Sequence, residues 1–464
     1  MRPKKPAARP PRPVAKPRGL ELSANPRQVA FRVLKDAADD RRSTPEESLA
    51  SQGLLLNPRD LGLATALVYE VLRHKARLSG LARSRLSRGR AAPELLLVLE
   101  IGLAQLLFFD RLGQHAVVSE TVSLAKAVVP GRQGLVNAIL RGLLREKEAG
   151  GVWPPEPPTG PDPVRNLALR HSYPDWMVRL LMKRFGEAET EALLAAGNQA
   201  TPPTLRLNPL KGSREELQKF LPFETRPTEL SPWGLAALEF SGRPEDWPGF
   251  AEGRFAVQDE ASQLVGLLAG PLSAGATGLD ACAGLGSKAL HLAALNPTVK
   301  ILARDKESKR LELLSREAVR LGLENVRAEA GDLLADPLPA ASFDLVIVDA
   351  PCSGLGVVRR RPDLKWNKSP DDPARLAELQ LQLLTAAAWA VKPGGRLLYG
   401  VCTFTDEEGP GVVRKFLAGL SDFKVAPAEL WPEILRPYMS PEGLMLLPHR
   451  HQTDGFFWAV FIRN

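Results

Sequence analysis

Two cysteines, Cys352 and Cys402, stand 50 residues apart in this 464-residue chain, each just past an apolar, strand-forming run. The first lies in Asp349-Ala350-Pro351-Cys352-Ser353-Gly354, the second in Leu398-Tyr399-Gly400-Val401-Cys402-Thr403. A single buried thiol is most simply a small hydrophobe. Two thiols at strand ends, one of them beside an acid, imply covalent chemistry in which one sulfur attacks and the other assists release. The third cysteine, Cys282, lies in a glycine-containing loop upstream. Three cysteines make no disulfide framework, and neither they nor the six histidines have the spacing of a metal site, so no metal is expected.

That loop reads Asp280-Ala281-Cys282-Ala283-Gly284-Leu285-Gly286-Ser287-Lys288 and leads into a predicted helix. Small residues let the backbone approach a ligand, and a helix N-terminus offers free N–H donors. The next predicted strand ends at Asp305, placed to accept from ribose hydroxyls, and the next unit ends at Asp332, placed for an adenine amino group. Gly284-Leu285-Gly286-Ser287-Lys288-Ala289 with Asp305 also fits a dinucleotide fingerprint, so the loop alone leaves a nicotinamide cofactor open. Asp332 and the two thiols have no task in hydride transfer. They have one in methyl transfer from S-adenosylmethionine, the cofactor these residues imply. The acceptor that needs a thiol is a pyrimidine carbon 5, a poor nucleophile until sulfur adds to carbon 6. Asp349 would hold the N3–N4 edge of a cytosine.

Around these residues the chain from 256 to 464 alternates strand runs (278–280, 299–303, 343–349 and 395–399) with helical stretches near 287–295, 306–322 and 373–391. That rhythm implies a mostly parallel sheet with crossover helices, whose ligands bind at the carboxyl ends of the strands. Residues 23–149 carry helical periodicity throughout and read as five to seven helices. Residues 150–165 are a proline-rich linker, and 166–255 a small α/β unit with a strand at 204–208. Residues 1–22 form a basic tail expected to be disordered: the first 18 hold seven Lys or Arg, six Pro and no acid. Arg359-Arg360-Arg361 and Lys365-Trp366, close after Cys352, suit phosphate contact and base stacking. A net charge of +8 agrees with a polyanionic partner.

The run from Asp349 to Gly354, with Arg359-Arg360 and Pro362-Asp363-Leu364-Lys365-Trp366, resembles the fourth motif of the RNA cytosine-5 methyltransferases of the Nol/Nop/Sun family. Tyr399 to Glu408, holding Cys402 and Glu407-Glu408, resembles the sixth. Arg206-Leu207-Asn208, Phe255 to Ser262 and Thr453 to Phe457 resemble further family segments. His115 to Val122 and Gly134 to Arg141 resemble the NusB-like domain carried by bacterial small-subunit rRNA members of that family. The resemblance implies an α/β Rossmann-like class I methyltransferase domain after a small α/β subdomain and an all-α NusB-like domain. It further implies a small-subunit ribosomal RNA substrate, Cys402 as nucleophile, Cys352 in product release and Asp349 on the base. Cys282, Ala283, Gly284, Leu285, Gly286, Ser287, Lys288, Asp305, Asp332 and Asp349 would line the cofactor, Lys288 lying between cofactor and base. Arg206, Asn208, Arg359, Arg360, Lys365 and Trp366 would contact RNA. The chain departs from the family at the loop, where Ala-Pro-Gly-Gly-Lys-Thr is usual, and at Val401, where threonine is usual.

Two other readings compete: an RNA-binding assembly protein that no longer takes the cofactor, and a nucleotide-dependent oxidoreductase. The apolar run from Leu95 to Phe109 is interrupted by Glu100 and Gln105 and is short for a membrane span, so it is expected to be a buried helix. No apolar core follows the basic N-terminal residues. The expectation is a cytoplasmic monomer with no membrane association.

Overall fold

A computed structural model describes residues 25–40, 43–86, 91–157, 159–240 and 242–464. The basic tail inferred for 1–22 lies outside them. The described residues form two compact units. One takes the residues up to Val71 with Arg85–Gly150, and the other Leu72–Ser84 with Gly151–Asn464.

The first unit is helical, as its periodicity requires. Helices Pro26–Asp39, Pro45–Gln52, Pro58–Ser84 and Pro93–Phe108 each open on a proline, whose missing N–H costs nothing in a first turn. Gln114–Val128 and Gln133–Glu148 follow. Asn25 and Thr44 cap the first two helices by accepting from Arg27 N and Glu47 N. The expected buried helix is Pro93–Phe108, and Gln105 inside it takes a 2.8 Å bond from Arg27 Nε. Among the described residues no helix is long and apolar enough to cross a membrane. The helix Pro58–Ser84 leaves helical geometry at His74, and its residues from Leu72 onward belong to the second unit.

The second unit begins with helices Pro163–His171, Asp175–Phe185 and Glu187–Ala196. The first starts inside the stretch read as linker: Pro163 sits at a first-turn position and Asp162 caps it. A four-stranded antiparallel sheet comes next, β1 (Thr204–Leu207), β2 (Thr225–Pro227), β3 (Gly234–Ala237) and β4 (Phe255–Val257), in the order β2-β3-β1-β4. The boundary drawn at 255 falls within β4, which pairs with β1 and so belongs to this small sheet.

The large sheet holds β5 (Thr277–Asp280), β6 (Lys300–Asp305), β7 (Val326–Ala330), β8 (Phe343–Asp349), β9 (Val391–Val401), β10 (Phe423–Val425), β11 (Met439–Ser440), β12 (Gly443–Leu446) and β13 (Phe456–Arg463). Its order is β11-β12-β13-β9-β8-β5-β6-β7, with β10 on β13. Strands β5 to β9 are parallel, and β13 runs antiparallel to β9. The parallel part is Rossmann-like, its order reversing between β5 and β8. Strand β9 begins earlier than its sequence suggests, because Lys392-Pro393-Gly394-Gly395 forms a bulge, with Gly394 at φ +73°, inside the strand rather than a turn before it.

Several cations of the Arg359–Trp366 loop are structural. Lys365 is fully buried: its Nζ lies on the Tyr173 ring and donates to Asn198 Oδ1 at 2.5 Å, Arg73 O at 3.2 Å and Ser172 O at 3.4 Å. Trp366 Nε1 donates to Leu72 O at 2.7 Å. Lys365→Met would keep the stem and strand three acceptors. We expect a loss of about 3 kcal/mol in urea unfolding. The salt dependence of RNA binding should stay unchanged, whereas a phosphate contact would lower its slope by about one.

Candidate active site

Parallel pairing sets Asp349 of β8 opposite Gly400 of β9, and the ladder continues as Ala350 N donates to Gly400 O. The chain leaves both strands at the same level. Three residues beyond Asp349 and two beyond Gly400, the sulfurs of Cys352 and Cys402 stand 3.0 Å apart, both partly exposed. The Cys352 thiol is pushed well above its ordinary range, first by its hydrogen bond to Cys402, then by burial, then by Glu408 and Asp349.

Lys288 Nζ lies 2.5 Å from Asp349 Oδ2, and its side chain is 6% exposed. Phe456 and Trp458 of β13 wall it, their ring centroids 5.3 and 5.9 Å from Nζ. Ala283 to Gly286 form a turn in which Gly284 and Gly286 take φ of +54° and +84°. A side chain at Gly286 would also strike Leu314, so no larger residue fits there. The helix Ser287–Leu295 starts with no side-chain cap, leaving N–H donors at its mouth.

The carboxylates at this end of the sheet gather round the loop. Asp305 accepts from Gly284 N at 2.8 Å and Glu307 N at 2.9 Å, and Asp332 is exposed and accepts from Leu334 N at 3.0 Å. Burial raises the Cys282 thiol first, and the charges of Asp280, Asp349, Asp305 and Asp332 raise it further. Four acids facing one loop, against the ammonium of Lys288, make a site electrostatically suited to a cation. Asp280, at the end of β5, is 1% exposed and its Oδ1 has no hydrogen-bond partner. Burial, then the Asp349 charge, raises its pKa to about 7. These features fit S-adenosylmethionine, whose sulfonium is cationic.

Of the residues inferred from sequence to contact RNA, Arg206, Asn208, Arg359 and Lys365 are buried. Arg206 is 2% exposed, and it donates to Gln258 Oε1 at 2.6 Å and Ser287 O at 2.5 Å, tying β1 to the cofactor loop. Asn208 is 3% exposed and donates to Gly253 O and Leu321 O. Arg359 and Arg360 pair with Asp259 and Asp454, as guanidiniums do when bidentate carboxylates are at hand. With Lys365 and Trp366, these groups hold loops together, and Arg360 and Trp366 keep part of their side chains exposed.

One buried group was overlooked. Glu408 is fully buried and accepts four bonds: Ser353 N at 2.7 Å and Gln380 Nε2 at 3.1 Å on Oε1, and Ser353 Oγ at 2.5 Å and Thr405 Oγ1 at 3.1 Å on Oε2. Burial raises its pKa and these bonds oppose the rise. The pair Glu407-Glu408 in the sixth motif was the only signal in the sequence.

Fold and site together define a class I S-adenosylmethionine-dependent methyltransferase. Residues 271–462 match the model of the 16S rRNA methyltransferase RsmB/F family, 24–145 the NusB family, and 173–242 the ferredoxin-like domain of RsmF/B-like methyltransferases. The ribosomal RNA small subunit methyltransferase B of Pseudomonas syringae pv. tomato is 35% identical, the match covering 95% of this chain and 97% of that protein. That of Vibrio cholerae is 32% identical over 96% of this chain and 99% of its own. The crystal structure of PH0851 superposes with a TM-score of 0.76 at 24% identity, covering 96% of this chain and all of that one. NSun6 from Pyrococcus horikoshii, solved with SFG, gives 0.56 at 20% identity over 63% of this chain and 99% of its own. The chain belongs to the RsmB/F family of rRNA methyltransferases, and it is an S-adenosylmethionine-dependent rRNA methyltransferase.

A pKa near 7 keeps Asp280 half-protonated at neutrality, while a cationic ligand favours its ionised form. Cys282, Lys288 and Asp349 are the ionisable groups around it. Cofactor affinity should therefore rise about eightfold between pH 6 and 7.5, following the ionised fraction. The gain should vanish in Asp280→Asn, as read by calorimetry. In the ligand-free protein the sign is opposite: stability falls as pH climbs from the ordinary carboxylate range through about 7.

Proposed function

We propose that the enzyme methylates carbon 5 of a cytidine in small-subunit rRNA through a covalent adduct between Cys402 and carbon 6. The 3.0 Å approach of the two sulfurs beside Asp349 is the observation that carries this reading. A methyltransferase acting on oxygen or on an amino nitrogen has no use for paired thiols.

The resemblance of the Cys402 segment to the sixth motif assigns attack to Cys402, and the hydrogen bond with Cys402, then burial, raise the Cys352 thiol above its ordinary range. Cys402 Sγ forms a bond to carbon 6, and the 5,6 double bond's electrons move to carbon 5. S-adenosylmethionine supplies the methyl group that carbon 5 takes up. Cys352 passes its proton to solvent once Cys402 is held in the adduct, and its thiolate removes the carbon-5 proton; the electrons of that bond restore the 5,6 double bond, the carbon 6–sulfur bond breaks and Cys402 leaves as thiolate. Asp349 holds the N3–N4 edge of the base, and Lys288 keeps that carboxylate oriented from a site walled by Phe456 and Trp458. Gly284, Leu285, Gly286 and Ser287 with Asp305 and Asp332 are assigned to the cofactor. The target cytidine must be unpaired or turned out of its stack to reach the thiols.

With 16S rRNA and S-adenosylmethionine, Cys352→Ala should accumulate a protein–RNA adduct that survives denaturing electrophoresis. Cys402→Ala should form none and transfer no methyl group. The reverse pattern would give attack to Cys352, and no adduct from either variant would remove the covalent step.

A further inference from the structure

The mechanism above uses Cys352 as the group that ends the reaction, and its sulfur stands 3.0 Å from that of the nucleophile. The two cysteines are not held equally. Cys402 directly follows Val401, which is paired with Phe457 in the middle of the large sheet. Cys352 lies in a non-repetitive segment, three residues past the last paired residue of β8. Something other than the ladder must fix it.

The peptide on each side of Cys352 is gripped by a buried side chain. Pro351 O, before it, accepts from Gln380 Nε2 at 2.9 Å. Ser353 N, after it, donates to Glu408 Oε1 at 2.7 Å, and Ser353 Oγ donates to Glu408 Oε2 at 2.5 Å. Glu408 also joins the two grips, since Gln380 Nε2 stands 3.1 Å from its Oε1. It is rooted on the other cysteine's loop: Thr405 Oγ1 donates to its carboxylate at 3.1 Å, and its backbone carbonyl accepts from Tyr399 Oη at 2.6 Å. A fully buried carboxylate is expensive unless its lone pairs are filled. Here four donors fill them, and two of the four belong to the residue next to Cys352.

We propose that Glu408 is a positioning residue that fixes Cys352 against the adduct on Cys402, so that release depends on it more than attack does. This rests on the covalent reading above. Loss of the carboxylate frees the Pro351-Cys352-Ser353 segment while the sheet still holds Cys402. A displacement of about 1 Å at a reacting group can cost on the order of a hundredfold in rate.

The test is Glu408→Ala, with Glu408→Gln as the variant that keeps the shape and one acceptor oxygen. Wild type and Cys352→Ala are run beside them with 16S rRNA and S-adenosylmethionine. For Glu408→Ala, kcat should fall about a hundredfold with KM and cofactor affinity unchanged. The covalent adduct should build up as in Cys352→Ala, and Glu408→Gln should lie between. Cys352 is faced by Cys402, Glu408 and Asp349, and removing the Glu408 charge takes away one of the influences that hold its proton. The pH dependence of adduct breakdown in Glu408→Gln should therefore move to lower pH, a readout that simple loosening of the fold would not shift. Wild-type turnover in Glu408→Gln and Glu408→Ala, or lost turnover with unchanged cofactor binding and no adduct, would overturn the proposal. If Cys352→Ala itself traps nothing, it is the covalent reading that fails.

Discussion

The hydrogen bonds that pair β8 with β9 in parallel are what make a site out of two distant cysteines. They place Asp349 opposite Gly400 and release both chains at one level, so that sulfurs 50 residues apart meet at 3.0 Å. A one-residue slip would turn each side chain to the other face of the sheet and separate the thiols. The register is held by burial on both faces: Leu345 to Val348 and Leu397 to Val401 are all buried, with helix Asp372–Ala388 packed against the pair. Beyond the strands, where the ladder ends, Glu408 and Gln380 continue the work by binding backbone rather than by packing.

Electrostatics at the same end of the sheet follow from the fold. Strands β5, β6 and β8 each end in an aspartate, and Asp332 follows β7 by two residues, so their carboxylates converge on the loop between β5 and helix Ser287–Leu295. Burial first, and then the repulsion of like charges this close, raise Asp280 to about 7 and push the Cys282 thiol up. A cationic cofactor relieves that repulsion. Lys288, the single ammonium in the group, is committed to Asp349 and leaves the remaining acids uncompensated on the cofactor side.

Much of this was legible in the sequence because it lies in contiguous runs. The apolar stretch 343–349 and the helix 287–295 stand where their patterns put them, and both cysteine loops follow strands as expected. The small sheet was not legible beyond β1. Thr225–Pro227 and Gly234–Ala237 are three and four residues long, with a proline and a glycine among them, and no alternation survives at that length. Nor could the helix at Pro163–His171 be told from a linker, since the prolines that suggest one also occupy first-turn positions. Glu408 escaped for another reason: in sequence it is one of two adjacent acids, and only the fold shows which one turns inward to four donors.

The cations after Cys352 show the limit of reading charge as function. Arg359, Arg360 and Lys365 look like a phosphate-binding run, yet their partners lie far away in sequence, at Asp259 and Asp454 for the arginines and at Asn198 and Tyr173 for the lysine. Removing one member of such a buried pair leaves the other uncompensated, so these cations are fixed in place by the fold. The arrangement locks the loop behind Cys352 to the segment that enters β13, where Gly455 N donates to Gly356 O and Gly356 N to Cys402 O. A site that must keep two sulfurs, a carboxylate and an ammonium within a few ångströms gains more from a rigid loop than from three more phosphate contacts. Exposed cations lie elsewhere, among them Arg226 on the small sheet.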